Sequence, residues 1–418
     1  MNFKFLLSAT FSLSALLTTA QNNNKAFAIT GDGNQDHLWM SIRQVDLGTG
    51  QLSKTIFQRG KTNFVLTDVN TKTTSTEKNS TDNVYMSKDY PTGSFVAAAA
   101  YDSRNNKLFF APMRIGELRW VELDVKNETP KFYRLSSEVL NFGDPQDEAN
   151  HITRMVIAAD GNGYAMTNDG NHFIKFTTGR KPVITDLGNL VDDESNNGMS
   201  IHNKCTSWGG DMLADAFGKL YVISANRNVF VVDINTRVAS YKGAITGLPG
   251  NYSTNAAAVN NKGEIVVGSA NVFDGYYTLK LDDLKAVRLE GSDKTYNASD
   301  MANGNLLLQK EADEAKKYSV SSAPVPDNTF SNSDKRVFPN PVTSSSFAVL
   351  FNGFKAGTYN IVLTDLSGRS MQSQKAAIGK GNQKETVNLK AVSGKGMYMV
   401  KVFDEAKQVV FTEKIMIQ

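Results

Sequence analysis

Few side chains in this sequence are of types, and at spacings, that could do chemistry. The four histidines, His37, His151, His172 and His202, stand far apart, and none has a partner at the spacing that puts two imidazoles on one metal. Each reads as a surface or strand-edge residue. Cys205 is the only cysteine, so no disulfide joins the chain to itself. No residue beside it marks an activating base, and a buried structural thiol is expected. Asp32-Gly33-Asn34-Gln35-Asp36, Asp160-Gly161-Asn162-Gly163 and Asn168-Asp169-Gly170-Asn171 share their small oxygen-bearing residues with calcium loops. Their alternation is incomplete and no glutamate closes them, so they read as hairpin turns. Calcium is the single cofactor candidate, and otherwise none is expected. Asp144, Asp147 and Glu148 form one acidic cluster and Asp192, Asp193 and Glu194 another; both read as solvated loops that could line a face for a cation or a sugar. Trp39, Trp120 and Trp208 would stack on carbohydrate if exposed, although tryptophan in such strands more often fills a core. The sequence has no nucleophile elbow, phosphate-binding loop or dinucleotide fingerprint. No catalytic, cofactor or metal residue is assigned.

The elements that would carry these residues repeat. A short apolar strand, a polar turn and a second apolar strand recur, as in Ala98-Ala99-Ala100-Tyr101 before Leu108-Phe109-Phe110, and Val156-Ile157-Ala158 before Tyr164-Ala165-Met166. Met212-Leu213-Ala214, Ala257-Ala258-Val259 and Asp300-Met301-Ala302 open three more units. The second strands start at 108, 164, 220, 265 and 306, spacings of 56, 56, 45 and 41, the period of propeller blades. Asn, Asp and Gly fill the turns because a two-residue hairpin needs positive φ there. An alternating strand ending in aspartate follows, as in Val45-Asp46-Leu47-Gly48-Thr49-Gly50 and Val232-Asp233-Ile234-Asn235-Thr236, where aspartate caps its own turn. Counted from Ala26, the pattern predicts about six blades. Seven fit if residues 60–93, read as an inserted hairpin or loop on one face, hide further strands. The rival arrangement is an array of β-sandwiches.

Both ends carry addresses. Met1-Asn2-Phe3-Lys4, the apolar run Phe5 to Leu17 and the small residues Thr18-Thr19-Ala20 read as a Sec signal peptide cleaved after Ala20. It is too short to span a membrane, and no later window approaches eighteen apolar residues. A soluble mature chain is expected. At the other end, Phe338-Pro339-Asn340-Pro341 stiffens the entry to a strand region. There Tyr359, Ile361 and Leu363 alternate with Asn360, Val362 and Thr364, and Tyr398, Val400 and Val402 alternate with Met397, Met399 and Lys401. This period marks half-buried strands of a small antiparallel sandwich.

Those motifs, with Gly357, Asp365, Gly368, Gly396 and Lys414 in the same order, resemble the type A C-terminal sorting domain of cargo of the Bacteroidota type IX secretion system. The resemblance covers residues 336–418, about a fifth of the chain. It implies an immunoglobulin-like sandwich, recognition by the type IX machinery after Sec export, and removal of the domain as the cargo is released or attached to the outer surface. The expected organisation is a signal peptide at 1–20, an all-β propeller at 21–320, a Ser/Asn/Pro-rich linker at 321–335 and the sorting domain at 336–418.

Charge follows these boundaries. The chain is +3 overall, but residues 336–418 hold eleven Lys or Arg against five Asp or Glu, which leaves the rest at −3. Without a basic stripe, the central region is not expected to bind nucleic acid. The leading expectation is a secreted or surface-attached propeller that binds a glycan or protein through loops on one face. An extracellular hydrolase or lyase acting on polysaccharide or peptide is the alternative, and would need two carboxylates in a common pocket. A structural component of the surface or biofilm is the third reading. Fold analogy alone does not choose among them.

Overall fold

The computed structural model describes residues 24–33, 36–76, 87–123, 129–291, 296–320, 337–343, 345–351, 353–365, 370–379, 383–389 and 396–417. The expected signal peptide with Ala20, the linker 321–335, Gly368 and residues 77–82 of the polar stretch 71–82 lie outside these residues. The chain divides into two compact units, Met1–Val320 and Ser321–Gln418, and is all-β in both.

Five sheets make up the described part of the first unit. One sheet orders Val96–Asp102, Lys107–Pro112, Glu117–Glu122 and Lys131–Ser136, each antiparallel to the last. Two more follow the same plan from Ile152–Ile157 and from Ala256–Val259, and a fourth from Asp211–Ala214. Strands near the start of each sheet are buried on both faces: every residue of Lys107–Pro112 is inaccessible, as is every residue of Asp211–Ala214 and Ala256–Val259. Their sequences are accordingly runs of apolar residues without alternation. Outer strands open to solvent; Leu52–Phe57 is exposed at its first four positions.

The opening strands Val96–Asp102, Ile152–Ile157, Asp211–Ala214, Ala256–Val259 and Ala298–Ala302 lie each against the next, and the last against the first. They form a closed ring. Small residues at Ala98, Ala99, Ala100, Ala256, Ala257, Ala258 and Ala298, all buried, let five backbones converge.

The ring holds five sheets where the repeat predicts about six. The unit counted from Ala26 and the one opened by Asp300-Met301-Ala302 are a single sheet: Phe27 registers with Ala302, Ala28 with Met301 and Ile29 with Asp300. The expected second strand at Leu306–Leu308 does not form. Leu307 makes one bridge to Asp215, and the helix Gln309–Val320 begins just beyond. The described residues of 60–93 supply no further sheet either. Val65–Asp68 joins the outer edge of the second sheet, parallel to Lys131–Ser136, and Thr74–Ser75 pairs with it. Phe57, Phe64, Tyr90 and Phe132 pack edge to face beneath the insert, with centroids 5.1–6.1 Å apart.

Aspartate turns follow the expected chemistry. Asp46 Oδ1 accepts from the amides of Gly48 and Thr49, and Asp233 Oδ1 from those of Asn235 and Thr236. Burial opposes the Asp233 charge, but bonds from Lys219 and those two amides outweigh it and hold its pKa at about 2.

In the second unit, a sheet of Val337–Phe338, Ser346–Phe351 and Gln383–Asn388 and a sheet of Ser370–Ile378, Gly357–Asp365, Gly396–Phe403 and Val409–Ile417 share one core. Tyr359, Ile361, Leu363, Tyr398, Val400 and Val402 point into it, as their period of two requires. Asn340 fixes the chain entry: its Nδ2 donates to Lys414 O at 2.8 Å, and Met416 N donates to its Oδ1 at 3.0 Å. Phe338 is partly exposed with Lys384 over its ring, Gly357 and Gly396 open two strands, and Asp365 registers with Tyr398.

Candidate functional site

In the first unit, the loops that enter the opening strands meet the loops between second and third strands. Hydrogen bonds run from one to the next. Thr92 Oγ1 donates to Met40 O, Asn168 N to His151 O, Gly209 N to Asn168 Oδ1, and Thr254 N to Ala225 O. Asn297 Nδ2 then donates to both Ala270 O and Asp36 O. This loop face carries all four histidines, Cys205, Trp39, Trp208, the turns at 32–36 and 168–171 and the cluster of Asp144, Asp147 and Glu148. The turns between first and second strands, such as 160–163, close the strands at their other ends, and residues 192–194 run beside the outer strand Val238–Ala244. Trp120 lies in the core, 2% exposed.

The residues gathered there mostly bind one another. Buried His151 has Nε2 2.9 Å from Pro145 O. His172 Nδ1 lies 2.7 Å from Asp186 Oδ2, and its ring stacks on Phe142 with centroids 4.3 Å apart. His202 Nδ1 sits 2.5 Å from Asp169 O, and His37 meets Trp39 edge-on. Among the described residues no three His, Cys, Asp or Glu side chains converge as a metal cluster would. Asp160 and Asp169 spend both oxygens on Asn162 and Tyr164, and on Thr167 and Asn171. Asp147 and Asp193 cap short helical turns. Asp144 accepts from Gln146 N, Asp192 from Ile201 N, and Glu148 pairs with Lys204; Glu194 sits in the first turn behind Asp193. Cys205 corrects the expectation of a buried thiol: it is exposed, on the helical turn Lys204–Ser207, because Asn203 caps that turn and leaves its outer side in water.

A cleft of about 630 Å³ opens on this face, between the loop Met113–Gly116 and the loop Ser136–Asn150, with Asn70 and Lys88 from the insert on its rim. That volume suits a small ligand. Gly116 is required there, since a Cβ would come 2.8 Å from Leu140 O. Beneath the cleft Arg119, fully buried, donates to Glu117 Oε2 at 2.7 and 2.9 Å, to Tyr90 O at 2.5 Å, to Pro91 O at 2.9 Å and to Lys88 O at 2.8 Å. Burial lowers the Arg119 pKa, and the adjoining Glu117 carboxylate opposes that shift. Arg134 adds bonds to Lys88 O and Asp89. The two guanidiniums therefore fix the insert by its backbone, leaving the Lys88 side chain free to face outward.

A second constellation closes the ring axis. Asp211 and Asp300, both fully buried, face each other from opening strands that are not adjacent, with Ala256–Val259 between them in the ring. Asp211 Oδ2 accepts from Ala257 N at 2.5 Å and Met301 N at 3.1 Å, and Oδ1 from Met212 N at 2.7 Å. Among the described residues no donor reaches an Asp300 oxygen with full hydrogen-bonding geometry, although the Ala99 amide is near. Burial pushes Asp211 up to about 8. Burial, then the facing Asp211 charge, raises Asp300 well above the ordinary carboxylate range. With both carboxyls raised, the pair retains a proton near neutral pH in place of a second buried charge. Closed from solvent, the pair is a pin between strands and not a pair open to substrate.

The sequence reading singled out none of Lys88, Arg114, Glu117, Arg119, Phe142, Asp211 or Asp300. Only Glu117-Leu118-Arg119 carries a local signal, because residues two apart on a strand share a face.

Residues 336–418 match the secretion system C-terminal sorting domain family. That tail marks the chain as cargo of the type IX secretion system, carried to the cell surface or beyond it. No curated protein matches the chain. Among solved structures it is similar to PorZ, a surface component of the type-IX secretion system of Porphyromonas gingivalis, at 13% identity and a TM-score of 0.30, over 94% of this chain and 51% of that one. The chain thus spans about half the length of PorZ. It is also similar to a Lactobacillus plantarum protein at 9% identity and a TM-score of 0.36, over 66% of this chain and 98% of that one. Virginiamycin B lyase from Staphylococcus aureus gives 9% and 0.30, over 62% and 68%. No helix among the described residues is long and apolar enough to cross a membrane.

Proposed function

We propose that the five-sheet ring is a five-bladed propeller that binds a glycan in the cleft of its loop face. The Sec and type IX machineries deliver it outside the cell, and an immunoglobulin-like tail serves as the export handle. One observation supports the binding reading above the rest: a cleft of about 630 Å³ whose insert wall is pinned through backbone carbonyls by buried Arg119 and by Arg134. Rigid support of a loop-built concavity is what recognition needs and packing does not. Phe142, held face to face on His172, offers an apolar plane beside the amides of Asn70, Asn141 and Asn150 on the cleft wall, a combination suited to the two faces of a sugar ring.

The test is an array of glycans and peptides probed with the secreted protein, wild type beside Phe142→Ala. Binding to glycans that the variant loses by about tenfold, the scale of one aromatic contact, supports the reading. Binding to peptides alone, or to nothing, overturns it.

A further inference from the structure

We propose that the glycan taken by this cleft is acidic, its carboxylate or sulfate oxyanion held by the Arg114 guanidinium with Lys88 beside it. The inference rests on the glycan-binding reading above. Its ground is a comparison of the arginines of the first unit. Arg43, Arg59, Arg104, Arg119, Arg134 and Arg288 pair with carboxylates. Arg154, Arg227 and Arg237 donate to main-chain carbonyls. Arg180 is exposed at the opposite strand ends, where water serves it. Arg114 is half-buried in the cleft wall. Its amide is tied to Ser94 Oγ, yet among the described residues its guanidinium has no ion pair or hydrogen bond.

Glu117, Glu138 and Asp144 also line the cleft, but among the described residues none of them pairs with Arg114. Glu117 accepts from Arg119 and Ser136, Asp144 accepts from Gln146 N, and Glu138 is exposed at the start of its helical turn. A guanidinium that is partly desolvated and unmatched is costly alone, and its planar fork fits a carboxylate or sulfate in two parallel bonds. Lys88 adds a second cation, its carbonyl bound below and its ammonium without an ion pair among the described residues. Because the unit around them is net negative, attraction of an acidic glycan must come from these two groups locally, and it should be selective.

The experiment is isothermal titration of the full secreted protein with three tetrasaccharides: an oligogalacturonate, a sulfated chondroitin fragment and a neutral galactan. The expected result is binding of at least one acidic probe in preference to the neutral one. Arg114→Gln should weaken it by about tenfold or more, and Arg114→Lys by less, because lysine keeps the charge and loses the fork. Binding of the oligogalacturonate shows that a carboxylate suffices, whereas binding of the chondroitin fragment alone, which carries carboxylates as well, shows that the site requires the sulfate. Should Arg114→Gln fail to fold, Lys88→Gln and a salt titration of the wild type carry the same test. Neutral probe bound as tightly as the acidic ones, or an unchanged Arg114→Gln, overturns the anion site while leaving glycan binding intact. No binding of any probe removes both.

Discussion

At the scale of single residues, Asp211 and Asp300 set the response of the first unit to pH. Their folded pKa values lie above the roughly 4 of an exposed aspartate, so the folded state holds the proton more tightly than the unfolded one. The resulting stabilisation is complete below about pH 4 and is lost as pH rises through about 8. Thermal melts should therefore fall between pH 5 and 8.5, a range in which paired carboxylates such as Asp233, with its pKa near 2, stay ionised. Asp300→Asn should flatten that slope, since an amide does not ionise; an unaltered slope would sink the retained-proton account. Asp211→Ala should cost about 3 kcal/mol or more at any pH, because it strands the buried amides of Ala257 and Met301, and denaturant midpoints would measure it. None of this was legible beforehand. Asp300 reads in sequence as the first residue of an opening strand, and only the ring brings it to Asp211.

Elements were more readable than their partners. Strand after strand is announced by apolar runs bounded by Asp and Gly, and the aspartate turns at Asp46 and Asp233 follow from local chemistry alone. What local chemistry does not contain is pairing between distant segments. Ala28 against Met301 and Val65–Asp68 against Lys131–Ser136 are both invisible to a period count, so one sheet was read as two and an edge strand as a loop. The insert's anchorage gives a test. Arg119→Met removes its bonds to Lys88, Tyr90 and Pro91 and strands the Glu117 carboxylate, so it should cost roughly 3–5 kcal/mol. Proteolysis would then cut first within residues 60–93. A variant cut no faster than wild type would show that the arginine does not hold the insert.

For the whole molecule, the export address was the most legible feature, because sorting motifs are short, ordered and local, whereas the cleft draws on three loops that are remote in sequence. Deleting residues 336–418 should leave the protein in the periplasm of its native host, and fractionation showing normal export of the truncated chain would refute that role for the tail. The positive charge of this segment, +6 against −3 for the remainder, means the same deletion should also move the isoelectric point to the acidic side.

Because Ala298–Ala302 completes the sheet begun by Lys25–Thr30, the first strand made is also the last to be satisfied. A chain emerging amino end first carries an unpaired strand edge until nearly three hundred residues have followed it, and such edges recruit other chains. Closure of the ring therefore waits for the segment that leads to the export tail, and until it arrives the edge of Lys25–Thr30 stays open to pairing with other chains.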